Sequence, residues 1–188
     1  MLSQIQPHFM FNSLTTIMYL CEENPNLARE TLEKFSFFLR GTLESIELKE
    51  GVSINYELDI VKKYLFVEQQ RFGKSLEVEY DIKSEDFFIP VLSIQPIVEN
   101  AIKHGLMKLP RGGTIHVVSY ETETDYCISV VDDGVGFDTS VLIDERKPVG
   151  LRNIRERLKV MVNGKLEIES TVGVGTKVLV TIPKEVRK

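Results

Sequence analysis

Apolar positions spaced three and four apart mark the start of the chain as helical. From residue 2 to about residue 21 they are Leu2, Ile5, Phe9, Leu14, Ile17, Met18 and Cys21, a stripe along one face of an amphipathic helix. Asn24, Pro25 and Asn26 form a turn and cap signal, and residues 27 to about 47 then read as a second helix with Leu32, Phe35, Leu39 and Leu43 on one side. Two helices joined by a short turn make a hairpin with little core of its own. The hairpin either packs on the rest of the chain or, more economically, pairs with a second copy as a four-helix bundle. Residues 52–72 predict a third helix, capped by Ser53, with Glu57 near its first turn and Gly73 as its stop.

From Leu76 the period changes. LEVEYDI alternates apolar and polar residues, as a half-buried strand does, and TIHVVSY and DYCISVVDD do so on either side of the turn ETET. KLEIES and TKVLVTIP supply two more strands. Two helical runs lie between them, over residues 91–106 and 151–162, the second stopped by Asn163-Gly164. Strands in adjacent hairpins with helices set apart predict an α+β fold: one mixed, mostly antiparallel sheet covered by helices on one face.

Composition narrows the function. The 188 residues are 43% hydrophobic and 27% charged, an ordinary globular balance. A net charge of -5 with scattered basic residues gives no electrostatic footprint for nucleic acid. Cys21 and Cys127 alone form neither a disulfide framework nor a metal site, and they fit a reducing compartment. No stretch is apolar enough to span a membrane. The uncapped residues 1–6 read as a helix entered in mid-stride, the expectation for a piece of a longer protein.

Three stretches carry candidate chemistry. DDGVGF, from Asp132, leaves a strand end with a carboxylate and two glycines, Gly134 and Gly136. This is either a hairpin turn or a fixed acceptor for an adenine amino group beside a backbone that a flat base can approach. The Gly173, Gly175 and Thr176 stretch is either another glycine turn or a loop under a nucleotide with a hydroxyl to offer. In VENAIKHG, Glu99, Asn100, Lys103 and His104 cluster on a helix as neighbours at spacings of three and four, either as a solvated face or as ligand contacts. A carboxamide oxygen such as that of Asn100 is a hard ligand suited to Mg²⁺.

The ordered set LSIQPIVENAIKHG, VVDDGVGF, VGLRNIRERL and GVGTKVLVTIP resembles the N, G1 and G2 boxes of the GHKL ATP-binding fold, shared by histidine kinases, Hsp90-like chaperones, gyrase and MutL. QIQPHFMFNSL resembles the phosphoacceptor box of the LytS-like branch of sensor histidine kinases, which includes the YesM-like receptors. The resemblance implies a helical dimerisation and phosphotransfer region over residues 1–50, a connecting helix over 51–75, and a GHKL ATP-binding domain over 76–188. It makes His8 the phosphoacceptor and Asn100 the Mg²⁺ ligand, places Asp132 on the adenine with Gly134 and Gly136 beside it, and brings Lys103 and His104 to phosphate oxygens. Gly150 and the start of the Leu151 helix would face the phosphates, since a helix N-terminus favours anions. Residues 138–149 would form a lid, and Gly173, Gly175 and Thr176 would lie under the nucleotide.

The activity implied is phosphoryl transfer from ATP, with Mg²⁺, to an imidazole nitrogen and onward to an aspartate of a separate response regulator. The partners implied are a second copy of the chain, through the N-terminal helices, and that regulator; a membrane enters only through an upstream region, with this part cytoplasmic. Two alternatives would show nucleotide binding without labelling of His8: a catalytically weak nucleotide-binding scaffold and a GHKL ATPase. The sequence departs from the wider kinase pattern at three places. Phe9 follows His8 where many histidine kinases have an acidic residue, which leaves Asn12 or Glu99 to orient or deprotonate the ring. Pro96 stands where many relatives have a second Asn, and Pro148 interrupts the expected glycine pattern at the lid's end. Pro7 is either a first-turn residue or, if the helix continues upstream, a bend beside the reactive ring.

Overall fold

The computed structural model describes residues 7–47, 51–139 and 149–184. The helix expected over residues 2–6 and most of the expected lid, residues 140–148 with Pro148, lie outside the described residues.

Helix α1 (Pro7–Glu23) opens on a proline, whose missing N–H costs nothing in a first turn, and buries Phe9, Ser13, Ile17 and Leu20 along one face. Asn24 separates it from α2 (Pro25–Glu47). That helix begins two residues before its apolar period indicates, because Asn24 caps it: the Leu27 N–H donates to Asn24 Oδ1 at 3.2 Å. The hairpin lies on α3 (Ile54–Phe72) of the same chain. Phe9, Phe35 and Phe38 gather around Tyr64 of α3 with ring centroids 4.9 to 5.9 Å apart. Because α3 covers only one side of the hairpin, Leu32 and Leu43 stay about half exposed instead of sharing the burial of Phe35.

Five strands form the main sheet in the order β2 (Leu76–Ile82), β4 (Gly113–Glu121), β5 (Asp125–Asp132), β7 (Gly175–Pro183), β6 (Lys165–Thr171). β2 and β4 are parallel, and the other three pairs are antiparallel. Helices α3, α4 (Gln95–Asn100) and α5 (Val149–Val162) share one core with the sheet residues Ile115, Val117, Ile128, Val130 and Val180. α5 is anchored by Ile154 and Leu158, four residues apart and fully buried; each such side chain contributes about 1.5–3 kcal/mol. On the outer face of the sheet His116 Nδ1 lies 3.0 Å from Glu79 Oε2. The result is the expected α+β sandwich, a mixed and mostly antiparallel sheet with helices on one face. A second, two-stranded sheet of β1 (Gly51–Ser53) and β3 (Phe88–Pro90) gave no sequence signal, since three residues hold no alternation.

The single helix expected over residues 91–106 is corrected. Leu92 has φ +55°, α4 runs for six residues, and a π turn (Ala101–Gly105) and a 3-10 turn (Leu106–Lys108) follow. The non-helical start over residues 91–94 has its cause in Glu57, fully buried in α3. Its carboxylate accepts the N–H groups of Leu92, Ser93 and Ile94, the last two at 3.0 Å, while Arg157 of α5 donates to the Val91 and Leu92 carbonyls at 2.8 Å. Glu57 therefore caps the entry to α4 rather than the start of its own helix. Burial pushes its carboxyl up, opposed by these three N–H donors and by Arg157.

Candidate functional site

Asp132 ends β5 with its carboxylate buried. Oδ1 accepts the Gly134 N–H at 3.0 Å. A Cβ on Gly105 would lie 2.5 Å from that oxygen, and one on Gly134 would lie 2.5 Å from it and from the Gly105 backbone. Two bare backbones thus close on one carboxylate, and only glycine leaves room for it. Burial, chiefly, and the neighbouring Asp133 raise the Asp132 pKa to about 6, against the Gly134 and Thr176 backbone donors. Asp133 instead turns to the sheet and accepts the Thr114 N–H at 2.7 Å.

The loop that follows is tied to the β6–β7 turn. The Gly173 N–H donates to the Val135 carbonyl at 2.7 Å, and the Phe137 N–H donates to Ser170 Oγ at 2.9 Å. Ser170 Oγ also donates to the Gly175 carbonyl at 3.1 Å and lies 2.9 Å from the Thr176 hydroxyl. Gly136, at φ +58°, has no space for a Cβ, which would stand 2.0 Å from the Thr171 carbonyl oxygen, whereas Gly173 faces open space. Asp132, Gly134, Gly136, Gly173, Gly175 and Thr176 therefore form one knot. Ser170, which the sequence reading missed, fastens it. The arrangement fits a flat ligand with an N–H donor: a fixed buried acceptor lies beside close-set glycine backbone.

The α4 segment connects this knot to a second feature. Gly105 at its end meets Asp132, while Glu99 and Lys103 line a cavity of about 310 Å³. Asn100 and His104 are carried on the same segment, Asn100 half-buried at the end of α4 and His104 exposed. Burial first, then Lys103 and Lys108, lower the His104 pKa. A carboxamide oxygen in that position suits Mg²⁺ when phosphates and water supply the remaining ligands. Gly150 and Leu151 lie in the first turn of α5, Gly150 open to solvent and Leu151 packed against the core.

The same cavity is lined by His8 and Phe9 of α1 and by Tyr64, Glu68 and Arg71 of α3. Asn12, one turn along from His8, holds its amide nitrogen 3.1 Å from His8 Nδ1 and 3.4 Å from Nε2. Glu99 accepts from Gln95 Nε2 at 2.7 Å. Phe9 faces the aromatic cluster, so the position after His8 serves packing here. The sequence reading identified His8, Asn12, Glu99 and Lys103 but not Tyr64, Glu68 or Arg71. The only available signal was polar residues on the buried side of α3.

Two family models match the chain: "Histidine kinase" over residues 1–76, and "Histidine kinase-, DNA gyrase B-, and HSP90-like ATPase" over residues 91–186. YwpD, an uncharacterized protein of Bacillus subtilis (strain 168), is 39% identical over 96% of this chain and 67% of its own length. The sensor histidine kinase YesM of the same strain is 34% identical over 96% of this chain and 32% of its own. The chain thus spans about a third of the length of that sensor kinase. Among solved structures, the histidine kinase domain from the Erythrobacter litoralis EL346 blue-light activated histidine kinase shares the fold, with a TM-score of 0.58 at 17% identity over 96% of this chain and 90% of that one. Fold and site define a nucleotide-binding domain of the kinase, gyrase and HSP90 class joined to a histidine-bearing helical hairpin. The chain belongs to the histidine kinase family, in the branch of sensor kinases that includes YesM.

Proposed function

We propose that the chain is the cytoplasmic kinase core of a two-component receptor, which uses ATP and Mg²⁺ to phosphorylate its own His8 and passes the group to an aspartate of a separate response regulator. One observation carries this reading: His8 of the hairpin and Glu99 and Lys103 of the α4 segment line one cavity. The division follows function, with residues 1–50 for dimerisation and phosphotransfer, 51–75 for connection, and 76–188 for nucleotide.

Asp132 accepts the adenine amino group, with Gly134 and Gly136 beside the base, and the Gly173, Gly175 and Thr176 turn supports it from below. Asn100 holds Mg²⁺, which neutralises phosphate charge when bound. Lys103, His104 and the first turn of α5 at Gly150 and Leu151 face the phosphates. Asn12 orients the imidazole. A neutral ring nitrogen is a nucleophile at pH 7, so positioning and charge neutralisation carry most of the rate.

The dimer forms on the hairpin side that α3 leaves bare, where Phe11 and Met18 are about 70% exposed and Leu14, Leu32 and Leu43 about half exposed. Among the described residues no helix is long and apolar enough to cross a membrane; membrane attachment belongs to a region upstream. Incubation with ATP and Mg²⁺ is expected to give an acid-labile, base-stable label that is lost in His8→Gln. A label that survives this substitution overturns the assignment.

A further inference from the structure

With Phe9 in place of an acidic neighbour, the proton acceptor for His8 has to come from elsewhere in the fold. The cavity around His8 contains a further carboxylate, that of Glu68. Glu68 is 3% exposed, although α3 has solvent on its other side. Its Oε1 accepts from the Tyr64 hydroxyl at 3.3 Å and from Arg71 Nη1 at 3.2 Å. Its Oε2 has no hydrogen bond among the described residues, with Arg71 Nη1 3.1 Å away as an ion-pair partner only. A buried carboxylate oxygen with an ion-pair partner but no hydrogen bond retains the capacity to accept a proton from a group brought into the cavity.

Resting on the reading of His8 as phosphoacceptor, we propose that Glu68 is the base that takes the imidazole proton during phosphoryl transfer. The ring nitrogen bearing the lone pair forms the N–P bond, and the electron pair of the terminal P–O bond leaves with ADP. The imidazolium formed by that attack gives the proton of its other nitrogen to Glu68 Oε2. Neutral phosphoimidazole and a carboxylic acid remain.

The groups facing Glu68 suit the task. Tyr64 and Arg71 on α3 favour its ionised form, Glu99 on the α4 segment opposes it, and burial is the largest influence; the net effect is a carboxyl raised above its ordinary range and so a stronger base. Tyr64 keeps its own proton, since burial and Glu68 push it well above the usual phenol range. Lys103 and His8 complete the charged and titratable lining. Arg71 is held between Glu68 and Met107 Sδ, the latter 3.8 Å from Nη2, which fixes the guanidinium beside Oε2.

The test is the pH profile of His8 labelling in the full-length protein. Glu68→Gln should slow labelling by about a hundredfold or more, with ATP affinity within about twofold of wild type. Tyr64→Phe keeps the ring but removes a donor that stabilises the Glu68 anion. It should therefore shift the acid limb of the profile to higher pH while preserving the plateau, and it decides the matter if Glu68→Gln fails to fold. Unchanged rate and profile in folded Glu68→Gln, or an unshifted limb in Tyr64→Phe, overturns the role of Glu68 and leaves His8 as phosphoacceptor. Nucleotide binding without labelling in the wild-type protein instead overturns the kinase reading and this step with it.

Discussion

Gly105→Ala places one methyl group against Asp132, the carboxylate proposed to hold the adenine. The new Cβ would stand 2.5 Å from Asp132 Oδ1 and 3.0 Å from its Cγ, so Oδ1 falls about 0.9 Å short of an ordinary 3.4 Å contact. The carboxylate cannot simply retreat, because Gly134 lies on another side and binds the same oxygen at 3.0 Å. Overpacking of this kind costs about 1–3 kcal/mol. If the displacement falls on the adenine acceptor, ATP affinity should drop about tenfold to a hundredfold, at about 1.4 kcal/mol per tenfold. Calorimetric titration with ATP measures this, and thermal unfolding reports any general damage. A cycle with Asp132→Ala isolates the clash: once the carboxylate is gone, Gly105→Ala should cost little more. Wild-type affinity in Gly105→Ala, or full additivity in the double variant, refutes the reasoning.

Other predictions follow from the same geometry. The folded-state pKa of Asp132 is raised to about 6, so the apo protein holds that proton more tightly than the unfolded chain does. The associated stability is full below the ordinary aspartate range and is lost as pH rises through 6. Nucleotide, which needs the ionised acceptor, should bind more weakly as pH falls through 6, and Asp132→Asn should remove that dependence; a flat affinity profile in the wild type contradicts it. Glu57→Ala leaves three buried N–H groups without their acceptor and removes the carboxylate charge that Arg157 feels, and chemical denaturation should show a loss of about 3–5 kcal/mol; a loss under 1 kcal/mol would mean the cap is dispensable. Met18→Glu should convert a dimer to monomer in sedimentation without changing ATP affinity, whereas an unchanged dimer places the interface elsewhere.

Much of the fold was legible because burial imposed a period. α3 shows the agreement of local signals: Ser53 caps it through the Tyr56 N–H at 3.3 Å, and Gly73 ends it at φ +58°. The start of the α4 segment was misread because its geometry is dictated from a distance. Pro96 and the apolar spacing suit a continuous helix, but Glu57 and Arg157, 35 or more positions away, hold the backbone of residues 91–94 out of it. The same limit applied to the site. Asp132 and its glycines stand close in the chain and could be singled out as candidates, whereas Ser170 and Glu68 reach the knot and the cavity only when the chain folds and brings separate elements together. Phe9 marks the missing acidic neighbour, but no local pattern places a carboxylate from a helix some 60 residues on in the same cavity as His8.

In the proposed function the γ-phosphoryl group of ATP arrives on the imidazole of His8. Direct localisation by mass spectrometry, with digestion and separation kept at neutral to alkaline pH so that phosphohistidine survives, tests it without relying on variants. The expected result is a single phosphorylated peptide spanning His8, with the group on that ring. Phosphate on Ser13, Thr15, His104 or His116, or an unmodified His8 in protein shown to bind and consume ATP, would contradict it.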